Sequence, residues 1–543
     1  MRMPRSIFAL TLMLLTCCVS RLAAQDRLSR AEALEDLRYL ITALEETHPD
    51  PYSAFGGRVS FKLRAQALLE AVPEGGLTPA ELYSLLRPLF GDLRDGHTYI
   101  SSPPGRPSAE PRYLPARFAI ATDAVYIERA LPPYEGLIGY RLLGLQGETL
   151  ERAAALAATV FPAENDFGAK RWLLSFLVSD RRARRVFPDV GDGLAVELEG
   201  PSGARVERRL PFSLDRAAYL GAPWVVRRWE AIEENSGPFF WQFIGDSNIA
   251  YLRVSSIVGR EAFEELRAVG RQDLREQVER YYERYVHASM PEAMDEALSG
   301  VPCLSRTVGE MLTSMRERGS EHLILDLRGN GGGWSSLLTP FLLLAYGDRY
   351  FGYDFPVTFA TRISPAYLAL GGQTLAEFNA QLGSDYEIGD YHVTEETSLD
   401  ATSSRDEYAN ELEVLGCGLA ETFRELNGRA LYTPTVLVLL DPATFSAAYH
   451  FVYRLWHLGA KIVGVPSSQA GNAFVDVTPF RLPNSGLSGS IARTAQIFFP
   501  DDEERGRVLM PDFPMMWSDF QAYEFDEHAE VRYAIDLIGA GVR

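Results

Sequence analysis

The sequence is poor in lysine and in positive charge overall. Only three of its 53 lysine and arginine residues are lysines, Lys62, Lys170 and Lys461, and the formal net charge of the 543 residues is −20 at pH 7. Because nucleic acids and anionic membrane surfaces attract basic proteins, this balance argues against both as partners. It also leaves few candidates for a catalytic lysine.

Cysteine is scarce as well, with four residues in the chain. Cys17 and Cys18 lie in the amino-terminal apolar stretch, and Cys303 and Cys417 lack the CxxC spacing of a zinc site. The latter two are predicted to form either one disulfide bond or two buried thiols. Neither a metal nor another cofactor is expected from the sequence.

Long apolar runs are missing after the amino terminus, so no membrane-spanning helix is predicted. Residues 1–24 combine basic residues, an apolar stretch and a small-residue site at 22–24, which is the pattern of a secretory signal peptide. We therefore expect export through the Sec pathway to the periplasm or the extracellular space. A lipid anchor on Cys17 or Cys18 is the alternative.

The chain is long enough for several domains, and its texture changes along its length. Two capping boxes, Ser29 with Glu32 and Thr78 with Glu81, predict helices in an amino-terminal domain at 25–112. Residues 113–235 have short alternating apolar runs, typical of strands. Their segment GLIGYRLLGLQGETLERAAALAA resembles the strand, turn and helix of a PDZ-like domain.

The remainder of the chain, 236–543, alternates apolar strands with helices. This order predicts an α/β domain with a largely parallel sheet that is covered on both faces. Polar, tyrosine-rich sequence at about 350–430 interrupts the series and is interpreted as an insertion that could act as a lid. The predicted class is a multi-domain α+β protein.

Two predicted strands end in stretches suited to catalysis, because function gathers at the carboxyl ends of parallel strands. LILDLRGNGGGW supplies Gly331 and Gly332, whose backbone N–H groups can approach a ligand closely. VLVLLDPATFSAAY places Ser446 at a helix start, just before Ala447, where unpaired N–H groups favour a developing negative charge. Together they predict a nucleophile and an oxyanion hole, although a lone serine in this position is typically an N-cap.

A serine nucleophile also needs a base. Lys461 begins a predicted strand, so it lies at the opposite edge of the sheet from Ser446, and a Ser/Lys pair is poorly supported. Among the eight histidines, His97 lies in a turn within LFGDLRDGHTYI, and His450 lies one helical turn after Ser446. The spacing alone leaves both histidines open as the base.

Several motifs together resemble the tail-specific, or C-terminal-processing, serine peptidase family. They are ETHPDPY and LRDGHT near the amino terminus, IAYLRVSSI and LILDLRGNGGG in the α/β part, and GVPSSQAGNAF and RLPNSGLS after the serine. The resemblance implies a serine-type peptidase with a helical amino-terminal domain, a PDZ-like β-rich middle domain and a crotonase-like, ClpP-like catalytic domain.

One branch of that family uses a Ser/Lys dyad, but this sequence has Gly471 and Asn472 where the lysine would stand. The tricorn-like Ser-His branch matches better and implies His97 as general base and Glu504 as the acid of a triad. Glu503 and Asp502 are close enough to Glu504 that a one-residue gap would change the choice of acid. The sequence around Ser446 lacks the GxSxG motif, which forms the nucleophile elbow of another class of hydrolases.

The resemblance implies that Ser446 attacks a peptide carbonyl while His97 takes its proton, with the N–H groups of Gly331 or Gly332 and of Ala447 stabilising the oxyanion. The expected partner is a polypeptide substrate, and the oligomeric state is not predicted. Two other functions are kept as alternatives. They are a non-catalytic ligand- or peptide-binding protein on the same scaffold, as in interphotoreceptor retinoid-binding protein, and an esterase-type serine hydrolase.

Overall fold

The protein is described from a computed structural model, which covers residues 27–103, 110–233, 235, 237–271, 273–395 and 404–542. The predicted signal peptide lies outside these ranges. Helices and strands are organised around three β-sheets. Within the ranges given, none of the helices has both the length and the apolar character needed to cross a membrane.

The helices follow the start signals in the sequence. Ser29 and Thr78 both form the predicted capping boxes with Glu32 and Glu81. In chain order the helices are α1 (Arg30–Thr47), α2 (Arg58–Glu70), α3 (Pro79–Leu93), α4 (Leu150–Val160), α5 (Asp166–Leu177), α6 (Asp180–Ala183), α7 (Arg216–Leu220), α8 (Arg260–Ala268), α9 (Leu274–Tyr281), α10 (Met294–Ser299), α11 (Leu304–Arg318), α12 (Leu338–Tyr346), α13 (Asp348–Phe351), α14 (Pro365–Leu370), α15 (Leu375–Leu382), α16 (Ser404–Leu415), α17 (Leu419–Leu426), α18 (Ala447–His457), α19 (Glu503–Arg507), α20 (Trp517–Ala522) and α21 (Ala529–Gly539).

The strands divide among the three sheets by chain region. They are β1 (Tyr99–Ile100), β2 (Ala116–Ile120), β3 (Val125–Ala130), β4 (Arg141–Leu145), β5 (Glu148–Thr149), β6 (Gly193–Glu199), β7 (Arg205–Pro211), β8 (Phe239–Phe243), β9 (Ile249–Val254), β10 (His322–Asp326), β11 (Thr358–Arg362), β12 (Tyr391–Glu395), β13 (Thr435–Leu440), β14 (Lys461–Gly464), β15 (Ala473–Arg481), β16 (Ser488–Ile497) and β17 (Phe513–Pro514). The middle sheet has the order β2-β3-β4-β6-β7, with β5 paired to β4.

The parallel sheet carries the predicted site. Its order is β17-β14-β13-β10-β9-β8, and every neighbouring pair is parallel except the edge pair of β8 with β9. Helices α11, α12 and α18 cover one face through a core that includes Val308, Phe341 and Phe451, while α21 packs Val531 against the other. Burial on both faces accounts for the continuous apolar runs of these strands.

The antiparallel sheet joins the amino-terminal helices to the rest of the chain. Its order is β1-β16-β11-β12, with β15 also paired to β16. Phe90 of α3 stacks on Phe480 of β15, with ring centroids 6.2 Å apart. Strands β11 and β12 belong to the predicted insertion at 350–430, so that segment contributes to a sheet rather than only covering the surface.

A disulfide bond ties this insertion to the helical segment between β9 and β10. Cys303, immediately before α11, is bonded to Cys417, which follows α16, and their Cα atoms are 6.2 Å apart. Of the two states expected from the sequence, the structure has the single bridge. The bond closes a loop of 114 residues in sequence separation.

Breaking this bond is expected to destabilise the protein. Cross-links over loops of this length typically contribute about 2–4 kcal/mol by restricting the unfolded chain. We therefore predict that reduction, or the double variant Cys303→Ser with Cys417→Ser, lowers the midpoint of thermal unfolding in calorimetry. The double variant serves as the control, because reductant should leave its midpoint unchanged. Equal midpoints for the oxidised and reduced wild-type protein would contradict the prediction.

Candidate active site

The turn that presents Ser446 is built by Asp441, directly after β13. Its Oδ1 accepts the N–H groups of Ala443 and Thr444 at 3.0 Å each. The Thr444 hydroxyl in turn donates to the carbonyl oxygen of Leu327 at 2.9 Å, which fastens the turn to the end of the neighbouring strand. These short side-chain bonds replace the strand ladder and allow the chain to reverse into α18.

Ser446 itself has a strained backbone, with φ 54° and ψ −128°. Residues other than glycine rarely adopt positive φ values, and such strain persists where the surrounding contacts hold the backbone in place. The backbone N–H of Ser446 donates to Gln469 Oε1, and its side chain makes no capping hydrogen bond to α18. The hydroxyl is therefore not used as an N-cap, which was the structural alternative for this residue.

The glycine-rich loop after β10 lies directly against this turn. The N–H of Phe445 donates to the carbonyl oxygen of Asn330 at 2.9 Å. Gly332 has φ +97°, and a Cβ atom placed on it would lie 2.7 Å from the Phe445 carbonyl oxygen and 2.8 Å from Ser446 Cβ. Only glycine allows this close approach of the two loops.

The predicted oxyanion donors are not equivalent. Gly332 already donates its N–H to Asn330 Oδ1 at 2.9 Å. Ala447 is the first residue of α18, so its N–H has no acceptor within the helix. Gly331 is exposed, and a Cβ atom there would meet nothing within 4 Å. The geometry therefore favours Gly331 and Ala447 over Gly332 as donors to a substrate.

A buried charge cluster holds the start of the glycine-rich loop. Asp326 receives Tyr251 Oη at 2.7 Å and ion pairs from Arg253 and Arg328 at 3.2 and 2.8 Å. Burial raises the pKa of Asp326, but the two guanidinium groups outweigh it and hold that pKa well below its usual value. Arg328 also reaches Glu530 of α21 at 2.6 Å. The charges of the DLRG motif are thus structural supports.

His97 lies at the meeting point of the amino-terminal helices and the serine turn. It follows α3 in the Asp95-Gly96 turn, and β1 then pairs with β16. Its imidazole stacks on the ring of Phe445 at a centroid distance of 5.3 Å. The structure therefore places the imidazole of His97 against Phe445, the residue that directly precedes Ser446.

Glu164 is the carboxylate nearest to the His97 ring, although the sequence analysis did not select it. His97 Nδ1 lies 3.7 Å from Glu164 Oε1 and 4.0 Å from Asp95 Oδ1. Glu164 lies between α4 and α5, its side chain is 4% exposed, and its Oε2 accepts the N–H of Ala470 at 2.8 Å. Neither His97 Nδ1 nor Glu164 Oε1 has a hydrogen-bond partner among the residues that the structure describes.

The electrostatics of this pair follow from burial and from the two acids. Burial lowers the pKa of His97, but the nearby carboxylate of Glu164 and the charge of Asp95 outweigh it, so the pKa lies above the ordinary value for histidine. Burial raises the pKa of Glu164. The nearby carboxylates thus stabilise the protonated, positively charged form of the His97 imidazole relative to its neutral form.

A second histidine, His48 of the ETHPDPY motif, supports Asp95. His48 Nδ1 accepts the N–H of Asp50 at 3.1 Å, so Nε2 carries the proton that faces Asp95 Oδ2 at 3.3 Å. Asp95 Oδ1 receives the N–H of His97 at 2.8 Å. Burial raises the pKa of Asp95, but His48 and His97 outweigh it, so the net shift is downward. Asp95 therefore orders the backbone that carries His97.

The acids predicted near residue 504 do not occupy this position. Glu503 and Glu504 are exposed on α19, and Asp502 accepts the N–H of Arg505 at 2.9 Å as the cap of that helix. The ion pairs of His97 are with Asp95 and Glu164. Since Glu164 lies far from His97 in sequence and carries no motif of its own, no local signal pointed to it.

His450, the rival base, is only partly exposed on α18, and its ring packs against Phe498 with centroids 5.2 Å apart. Burial, reinforced by the charge of Arg454, lowers its pKa to about 3. A group with so low a pKa stays neutral and accepts a proton poorly at neutral pH. Lys461 begins β14, at the entrance of that strand rather than at its carboxyl end. His97 is therefore the base that the geometry supports.

Among the residues that the structure describes, two groups of side chains are close enough to share a metal ion. Asp95, His97 and Glu164 have ligand atoms within 4.8 Å of one another, as do Glu261, Cys303 and Cys417. The cysteines of the second group are joined to each other, and Asp95 of the first is held by His48 and by the backbone. Both groups are thus explained by contacts within the chain.

Residues 304–513 match the model of Peptidase family S41. The structure of mature CPAF complexed with lactacystin is 17% identical, with a TM-score of 0.54 over 94% of this chain and 98% of that chain. The crystal structure of mature CPAF is also 17% identical, with a TM-score of 0.54 over 95% of this chain and 99% of that chain. The photosystem II D1 C-terminal processing protease is 12% identical, with a TM-score of 0.40 over 90% and 94%.

No curated protein matches the chain. At this level of identity the two CPAF structures show a shared fold, and they agree with the prediction of a mixed α+β protein of several domains. The family match confirms the resemblance stated from the motifs. The PDZ-like character of the middle sheet and the domain boundaries remain predictions.

The contact between the two loops yields a test of the site's construction. Gly332→Ala is expected to destabilise the protein by about 2–3 kcal/mol, because the new methyl group meets backbone atoms and the positive φ is strained. Gly331→Ala is the matched control, since the space beside it is open. Thermal unfolding of both variants is the measurement, and an equal effect at the two positions would contradict the packing described.

Proposed function

We propose that this chain, whose residues 304–513 match the model of peptidase family S41, is a serine endopeptidase with Ser446 as nucleophile and His97 as general base. Members of the family are serine peptidases, so the enzyme class expected from the sequence is confirmed and a polypeptide substrate follows. The observation that carries the assignment of roles is the stacking of His97 on Phe445, next to Ser446.

The two nitrogens of His97 have different roles in this proposal. Nδ1 faces the carboxylates of Glu164 and Asp95, which leaves Nε2 to accept the proton of the Ser446 hydroxyl. As the hydroxyl oxygen bonds to the peptide carbonyl carbon, the imidazole becomes positive. Glu164 stabilises that positive ring at short range, as the acid of a Ser-His-acid triad does.

The remaining steps follow from acyl transfer. The carbonyl oxygen becomes negative in the tetrahedral intermediate, where the N–H groups of Gly331 and Ala447 are the proposed donors; losing one such donor typically lowers the rate by about 100-fold or more. His97 then gives its proton to the leaving amine, and the carbon–nitrogen bond breaks. Water, deprotonated by His97, hydrolyses the acyl ester on Ser446 and regenerates the enzyme.

We assign the acid of the triad to Glu164 instead of Glu504. The assignment rests on the 3.7 Å separation between Glu164 Oε1 and His97 Nδ1, on the burial of that carboxylate and on the exposure of Glu504. A separation slightly beyond hydrogen-bond length is common in free enzymes and tightens when substrate binds.

Export through the Sec pathway is part of the proposal. It is supported by the charge and apolar pattern of residues 1–24. The bond between Cys303 and Cys417 is also consistent with an oxidising compartment, since structural disulfides persist outside the cytosol.

Covalent labelling tests the nucleophile directly. A serine-directed fluorophosphonate is expected to modify the wild-type protein at Ser446, as identified by mass spectrometry of the labelled peptide. Labelling should be lost in Ser446→Ala and reduced at least 100-fold in His97→Ala, because the hydroxyl is a weak nucleophile without its base.

The outcome also separates the alternatives. An unlabelled wild-type protein would indicate a non-catalytic binding protein on the same scaffold. Labelling with turnover of esters but of no peptide would indicate an esterase. His450→Gln is the matched control for the histidine, and it should label at a rate close to that of the wild type.

The pH dependence tests the acid. His97 must be neutral to accept a proton, so kcat/KM is expected to fall as the pH drops through its raised pKa. Glu164→Gln removes the negative charge that raises this pKa, so the acid limb of the profile should move to lower pH while kcat falls about tenfold or more. The measurement is the pH profile of kcat/KM on a quenched fluorogenic peptide.

Glu504→Gln provides the matched control, because it makes the same change on an exposed carboxylate. Its profile should overlay that of the wild type. A shifted profile in Glu504→Gln together with an unchanged profile in Glu164→Gln would return the role of the acid to residue 504.

A further inference from the structure

A group of unpaired polar atoms lies buried behind the proposed catalytic residues. Within the described ranges, Glu164 Oε1, Tyr449 Oη and Gln469 Nε2 all lack a hydrogen-bond partner and are closed to solvent. The carboxylate oxygen is an acceptor, and the hydroxyl and the amide nitrogen can both donate. Because a buried polar atom without a partner is costly, unpaired donors near an unpaired acceptor call for an explanation.

The loop after β14 brings these atoms together. Gln469 belongs to this loop, and the N–H of the next residue, Ala470, donates to Glu164 Oε2 at 2.8 Å. A Cβ atom placed on the following residue, Gly471, would lie 3.2 Å from Tyr449 Oη. The carboxylate of Glu164 and the hydroxyl of Tyr449 therefore lie against consecutive residues of one loop.

Tyr449 is held firmly on α18, three residues after Ser446. Its side chain is fully buried, and its ring stacks on that of Phe498 with centroids 6.2 Å apart and an angle of 13° between the planes. Burial raises the pKa of Tyr449, and the charge of Glu164 raises it further. The hydroxyl therefore keeps its proton at neutral pH and remains a hydrogen-bond donor.

The carboxylate of Glu164 has capacity for a further donor. An ionised carboxylate can accept about four hydrogen bonds, whereas Glu164 accepts one, from Ala470, among the described residues. Its Oε1 lies 3.7 Å from His97 Nδ1. Burial raises the pKa of Glu164, and hydrogen bonds to the charged form oppose that rise. A neutral donor would therefore help to keep Glu164 ionised beside the imidazole.

We propose that Tyr449 is a positioning residue of this peptidase, whose hydroxyl donates a hydrogen bond to the Glu164 carboxylate, directly or through one bridging water. The proposal rests on the peptidase function proposed above and adds a residue that acts through Glu164 without touching the substrate. Such a bond shares the carboxylate between Tyr449 and His97. It holds Glu164 in its negative form and limits how strongly that charge attracts a proton to the imidazole.

Three carboxylates act on His97 from different parts of the fold. Burial lowers the pKa of His97, and the charges of Glu164, Asp95 and Asp476 raise it. Asp95 lies in the turn after α3, and Asp476 lies on β15, whereas Glu164 is bonded to the loop that the Tyr449 hydroxyl contacts. Removing this hydroxyl should therefore change the pKa of His97 through Glu164.

His450 follows Tyr449 on α18 but does not complicate the titration. Burial and the charge of Arg454 lower the pKa of His450 to about 3. The ring is therefore neutral throughout the range in which His97 titrates, and its charge does not change there.

Titration of His97 tests the proposal without any requirement for turnover. Ser446→Ala is prepared with isotope-labelled histidine, and the ring C–H signal of His97 is followed by NMR against pH. The signal is identified by its absence when His97→Ala is added. Adding Tyr449→Phe instead should raise the pKa of His97 by about half a unit or more, because a carboxylate with one donor fewer attracts the imidazole proton more strongly.

The same substitution should be visible in the kinetics of the otherwise wild-type enzyme. His97 must be neutral to act as base, so the acid limb of kcat/KM in Tyr449→Phe should move to higher pH by the same amount. This direction is opposite to that expected for Glu164→Gln. A purely structural role of the hydroxyl would lower the midpoint of thermal unfolding and leave both the titration and the pH profile in place.

Tyr453→Phe is the matched control, because it removes a hydroxyl from the same helix one turn later. The Tyr453 hydroxyl bonds to the carbonyl oxygens of Phe498 at 3.0 Å and Pro356 at 3.2 Å. Its loss should lower the midpoint of thermal unfolding and leave the pKa of His97 unchanged.

An unchanged titration of His97 in Tyr449→Phe, a shift to lower pH, or an equal shift in Tyr453→Phe would overturn the proposal. Failure of the peptidase function gives a different pattern. In that case the wild-type protein neither labels with fluorophosphonate nor cleaves peptides, while the titration of His97 and its dependence on Tyr449 are still measured.

Discussion

The contact between Glu164 and His97 is the interaction on which the site depends. Glu164 Oε1 lies 3.7 Å from His97 Nδ1, and its Oε2 accepts the N–H of Ala470. The neighbouring Gln469 accepts the N–H of Ser446. A buried carboxylate is costly unless it is paired, so this one acid draws together a turn after α3, the α4 to α5 connection and the loop after β14. No single segment of the chain contains a working site.

The nucleophile is held by a different means. Ser446 has a positive φ, and the strain is supported by the bonds of Asp441 and by the close approach of Gly332. The buried ion pair of Asp326 and Arg328 holds the start of the glycine-rich loop in place. Strain stored at a functional turn in this way frees the serine hydroxyl from capping α18 and leaves it for chemistry. Both loops follow neighbouring strands of the parallel sheet, which anchors them in a fixed relative position.

Features that depend on short stretches of sequence could be predicted from the sequence alone. Capping boxes at Ser29 and Thr78 located helices, apolar runs located the parallel strands, and the position of Ser446 between a strand and a helix predicted an exposed hydroxyl. The acid was assigned by family resemblance to Glu504, whereas the imidazole faces Glu164, a residue with no motif and no short-range partner. Similarly, the commitment of the Gly332 N–H to Asn330 depends on loop conformation, and the joining of β11 and β12 to β16 depends on long-range pairing. Such features arise from packing, which spacing in one sequence does not reveal.

The central claim is that Ser446, His97 and Glu164 act as one catalytic unit. A crystal structure of the protein after reaction with a peptidyl phosphonate tests it most directly. The account predicts phosphorus bonded to Ser446 Oγ, His97 Nε2 within hydrogen-bond reach of that oxygen at about 3 Å, and His97 Nδ1 bonded to Glu164. An adduct on another residue, or an imidazole whose Nδ1 faces Glu504 or solvent, would contradict it.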